Sequence, residues 1–132
     1  MSEKTKSLRS PLGVARGLGS AKSGFEHWQL ERITALMLIP TAFYLLIGFL
    51  NHVVAGGYSG AMYWLQSPLS ATFALLFLLA GLRHLTCGLQ VVMEDYIPKE
   101  RIRLPLLFVV KFVIAAMAIL GSLSIAKIFF GV

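Results

Sequence analysis

"ITALMLIPTAFYLLIGFLNHVV", residues 33–54, runs for twenty-two residues without a formal charge. The uncharged run continues to Leu82, fifty residues in all. A chain of 132 residues, 57% hydrophobic and only 14% charged, has too little interior to hide such a run from water. Its mean hydropathy of +0.76 agrees. Lipid is the solvent this composition requires. A helix needs about 20 mostly apolar residues to span a bilayer. Three stretches meet that length, at 33–54, 70–93 and 104–130. The expected fold is an all-α membrane protein with three transmembrane helices. No internal repeat is present, so an inverted-repeat transporter is not indicated.

The charges set an expected orientation. Lys4, Lys6, Arg9, Arg16 and Lys22 precede the first span, the 55–69 connection has no charge, and Lys99, Arg101 and Arg103 lie in the 94–103 connection. The positive-inside rule then puts the N-terminus and the second connection in the cytoplasm and the C-terminus outside. The net charge of +6 reads as a topology signal and a contact with anionic lipid, not as a nucleic-acid arm. Residues 1–22, rich in Ser, Gly and basic side chains, form an expected extended arm before an anchor domain at 23–132. The first apolar run is too long and begins too late for a signal peptide.

Punctuation refines these boundaries. "SGFE", residues 23–26, has capping-box spacing and marks a helix start. Trp28 then falls at headgroup level. "AGGYSG", residues 55–60, is expected to break the chain after His52, with Tyr63 and Trp64 at the outer interface. Ser67-Pro68 precedes the second span and Pro98 follows it. Pro40 lies inside the first span, which membrane helices tolerate.

Most polar residues in the spans need no special role. Lys111 and Lys127 can snorkel to an interface. Asn51 and His52 lie close to a boundary. The single Cys87 excludes an intrachain disulfide and reads as a small packing residue. Arg83 and His84 lie deeper. A central arginine costs at least about 2.5 kcal/mol on insertion scales, and ionisable groups at that depth usually face a bundle interior.

His84 has two readings. One is an interhelical hydrogen bond worth roughly 1 kcal/mol. The other is an axial haem ligand. Gly81 and Gly88, three residues before and four after, share its helical face and leave backbone bare for a flat macrocycle. Glycines at these positions also serve ordinary helix packing. His84 is about 15 Å from the cytoplasmic end of its span, His52 about 28 Å from that side, and His27 precedes the span. A second axial ligand would therefore come from another chain.

Asp95 and Tyr96 lie farther along. The eleven residues from His84 to Asp95 cover about 16 Å of helix, which reaches the cytoplasmic surface. They read either as a solvated acid beside an interfacial tyrosine or as a quinone pocket, with the phenol on a quinone carbonyl.

"RHLTCGLQVVMEDY", residues 83–96, resembles the second-span signature of the small D-type membrane anchors of succinate dehydrogenase, respiratory complex II. "RGLGSAKSGFEHWQLERITALML", residues 16–38, is similar to that family's N-terminal segment, including Arg32 and the Thr34-Ala35 pair. The resemblance implies that His84 ligates the iron of haem b and that Tyr96 and Asp95 help bind ubiquinone. It implies an Arg32 contact to a haem propionate. A C-type cytochrome b anchor would supply the other haem ligand, an iron–sulfur subunit the electrons, and a flavoprotein the succinate oxidation. No catalytic residue is then expected on this chain, which would lie in a bacterial inner membrane or, in a eukaryote, the mitochondrial one.

Three other functions share parts of this pattern. A fumarate reductase anchor, oxidising quinol, shares every feature above. A non-redox scaffold does not require the spacing of His84, Asp95 and Tyr96. A small transporter needs an acid at mid-depth, and residues 33–93 contain none.

Overall fold

The computed structural model describes residues 24–131. The expected arm at 1–22 and the capping role of Ser23 lie outside the described residues. Among those described, every regular element is helical: α1 Gly24–Gly48, a π-helical segment Phe49–Val54, α2 Ala55–Leu65, α3 Pro68–Tyr96 and α4 Glu100–Phe130. Three helical stretches are long and apolar enough to cross a membrane, as expected.

Small side chains form the seam between α1 and α3. On α1 the buried residues are Thr34, Thr41 and Gly48, each seven residues apart. On α3 they include Ser70, Ala80 and Cys87. Lipid removes most of the hydrophobic reason for helices to associate, so close backbone approach through small residues takes its place. Cys87 is 2% exposed, which is the packing role expected of it. Leu36, Phe43, Phe108 and Phe112 instead point outward, as side chains facing acyl chains or a partner helix do.

The connection at 55–69 departs from expectation. It is not a loop: α2 occupies most of it, and the break falls at Gly57, whose φ of 59° and ψ of −146° only glycine adopts easily. Gly60 lies so close to the His52 carbonyl that a Cβ would collide with it. Trp64 lies against Gly48, flanked by Tyr44 at 6.4 Å and His52 at 6.0 Å between ring centroids. The glycines that read as breakers thus permit α2 to fold back on the end of α1. Tyr63 is exposed as expected, and Trp64 is half-buried against α1.

Polar ties close this end. Ser67 caps α3 by accepting from the Ser70 amide at 3.2 Å. Its hydroxyl also donates to Ser70 Oγ at 2.7 Å, and Tyr44 Oη lies 3.0 Å from the same oxygen. At the opposite end α3 runs three residues past the expected 93, to Tyr96, and α4 begins four residues before the expected 104. Only Ile97, Pro98 and Lys99 separate them.

Candidate functional site

Helix α3 carries His84, Asp95 and Tyr96 on one unbroken rod. From His84 to Asp95 the rise is about 16 Å. The imidazole is half-buried, whereas Asp95 and Tyr96 stand exposed at the helix end, Tyr96 by 82%. Nearby, Gln90 donates to Glu94 at 2.9 Å. Neither Asp95 nor Tyr96 has a hydrogen-bond partner among the described residues.

The glycines flanking His84 divide between the two roles open to them. A Cβ on Gly81 would rest 3.7 Å from Leu38 Cδ2, an ordinary packing contact with α1. A Cβ on Gly88 would meet nothing within 4 Å. Gly88 therefore leaves space on the His84 face that packing among the described residues does not use.

The His84 ring reaches one partner. Its Nδ1 lies 3.1 Å from Oγ1 of Thr34, across the α1–α3 seam. Sequence reasoning marked Thr34 only as part of a resemblance, because a contact between residues fifty positions apart depends on helix register. The Nε2 side has no hydrogen bond among the described residues. No three His, Cys, Asp or Glu side chains gather closely enough among those residues to hold a metal ion. An imidazole nitrogen unengaged by the described residues, beside the open Gly88 position, is chemically compatible with ligation of a haem iron, and His84 is the residue that would hold such a group.

The other expected residues are dispersed. Arg32 lies over the Trp28 ring at 5.9 Å on the exposed side of α1. His52 stacks on Trp64 at the far end, eighteen residues or about 27 Å beyond Thr34, which keeps it from His84. His27 belongs to α1, in keeping with the helix start expected at 23–26, and lies seven residues before Thr34; its buried Nε2 has no hydrogen-bond partner among the described residues. Arg83 and Lys111 line one groove between α3 and α4 with Thr86 and Ile114. The only ion pair among the described residues joins Arg103 to Glu100 at 3.7 Å.

The helices and their lipid-facing side chains define a multi-pass α-helical membrane protein. Within that class, the chain belongs to the succinate dehydrogenase/fumarate reductase transmembrane subunit family, whose model matches residues 6–120. It is 35% identical over 108 residues to the succinate dehydrogenase hydrophobic membrane anchor subunit of Rickettsia bellii, covering 81% of this chain and 85% of that protein. The protein of the same name in Rickettsia conorii is 33% identical over 105 residues, 79% of this chain and 82% of its own. The succinate dehydrogenase membrane anchor subunit of Reclinomonas americana is 27% identical over 92 residues, 68% and 77% of the two chains. No solved structure matches this chain.

Proposed function

We propose that this chain is a membrane anchor of succinate:quinone oxidoreductase that holds one side of a haem b and forms part of the quinone-reduction site. The observation that carries the reading is His84, with its free Nε2 beside the open Gly88 position on the helix that ends in Asp95 and Tyr96. When bound, haem b supplies a one-electron store within the membrane. The chain's own residues do the rest. His84 would hold the haem iron from α3, and a C-type anchor would supply the other ligand. Tyr96 donates a hydrogen bond to a quinone carbonyl at the cytoplasmic rim, where Asp95 fixes a neighbouring cation. Arg32 would contact a haem propionate. An iron–sulfur subunit docks at this rim and passes on electrons that a flavoprotein takes from succinate.

The family covers fumarate reductases too, but the relatives above carry the succinate dehydrogenase name, which favours quinone reduction. Ubiquinone is the proposed acceptor and a bacterial inner membrane the proposed site. Co-purification from detergent extracts tests this reading. The expected result is a four-subunit assembly with a low-spin b-type reduced-minus-oxidised spectrum. A chain that purifies without flavoprotein or haem contradicts it.

A further inference from the structure

Thr34 offers one hydroxyl proton and has three neighbours competing for it. Oγ1 lies 2.8 Å from the Leu30 carbonyl, 3.1 Å from the Glu31 carbonyl and 3.1 Å from His84 Nδ1. The rest of the bundle shows where such a proton goes. Thr41 donates to the Met37 carbonyl at 2.8 Å, with the Leu38 carbonyl at 3.1 Å, and has no histidine beside it. Thr72, Thr86, Ser122 and Ser124 likewise donate to the carbonyl four residues back, at 2.7 to 2.8 Å. The helix therefore takes the Thr34 proton by default. What remains on Oγ1 is a lone pair, and only a protonated Nδ1 can donate to it.

We propose that Thr34 is a positioning residue that holds His84 as the Nδ1–H tautomer and so presents an unprotonated Nε2 to the haem iron. This deepens the haem reading above and rests on it. Donation from the far nitrogen fixes a ligating ring in orientation and raises its basicity. Because Thr34 belongs to α1, the ligand's orientation depends on the α1–α3 register and not on α3 alone.

The test uses the complex purified with its partner subunits. Thr34→Val keeps the side-chain shape without the hydroxyl, Thr34→Ala removes it with no risk of overpacking, and Thr34→Ser retains it. The readouts are haem midpoint potential, the low-spin electron paramagnetic resonance spectrum and haem retention against apomyoglobin. Loss of the acceptor weakens the ring as a donor to ferric iron. The potential should therefore rise in the Val and Ala variants, and haem retention should fall about 10- to 100-fold. Thr34→Ser should stay close to wild type. A purely structural threonine would loosen subunit association without shifting the potential in one direction. Wild-type potential and retention in either hydroxyl-free variant overturns the proposal, as does equal displacement in the Ser variant. His84→Leu is the separating control. If it retains the native spectrum, the haem reading fails and the Thr34 proposal with it. If only His84→Leu changes the spectrum, the haem reading stands and Thr34 has no such role.

Discussion

Trp64 packs its indole directly against Gly48, closing α2 onto the end of α1 where a side chain on residue 48 would intrude. Gly121 has a superficially similar neighbour, Leu78 Cδ2, at 2.6 Å from an added Cβ. The two contacts differ in how readily they yield. A rigid indole held between Tyr44 and His52 cannot step aside, whereas a terminal leucine methyl can change rotamer.

Gly48→Ala should therefore destabilise the anchor by about 1 to 3 kcal/mol, the usual cost of overpacking. Gly121→Ala should stay within about 1 kcal/mol of neutral, because alanine's better helix propensity offsets the strain. Thermal unfolding in detergent, followed by tryptophan fluorescence, separates the two. Equal losses in both variants would mean that Trp64 is not held as described.

A second prediction concerns the space beside His84. Gly88→Leu fills the open position on the ligand face, while Gly81→Ala adds only an ordinary contact with Leu38. The first should assemble with much less haem, and the second should bind haem normally. Spectra of the two purified complexes decide this, and full haem content in Gly88→Leu would remove the macrocycle from that face.

Much of this arrangement was legible in the sequence. Three spans follow from run lengths, and the separation of His84 from Asp95 and Tyr96 is a distance along a single helix, which sequence spacing measures directly. The Thr34 contact was not legible in the same way. Thr34, Thr41 and Gly48 recur every seven residues, a visible seam, but which residue of α3 faces each depends on register. Helix α2 was misread for another reason. Gly56, Gly57 and Gly60 have poor helix propensity, yet the missing Cβ of Gly60 is what permits contact with the His52 carbonyl and offsets that weakness.

Orientation supplies the third prediction. Lys99, Arg101 and Arg103 flank the short turn after α3, and the connection before α3 has no charge. Reporter fusions near Pro98 should report the cytoplasm, and fusions at Val132 the opposite side. The reverse pattern would place Tyr96 away from the surface where electrons are proposed to arrive.

The exposed phenol of Tyr96 gives the most direct test of the proposed function. Tyr96→Phe keeps the ring and deletes only the hydroxyl that would orient a quinone and stabilise charge on its oxygen during reduction. Succinate oxidation should be measured in the purified complex with two acceptors: a quinone, and an artificial dye that takes electrons before the membrane. The account predicts normal assembly, wild-type rates with the dye, and quinone reduction lowered at least about tenfold, or about 1.4 kcal/mol of transition-state stabilisation. Near-wild-type rates with both acceptors would contradict it.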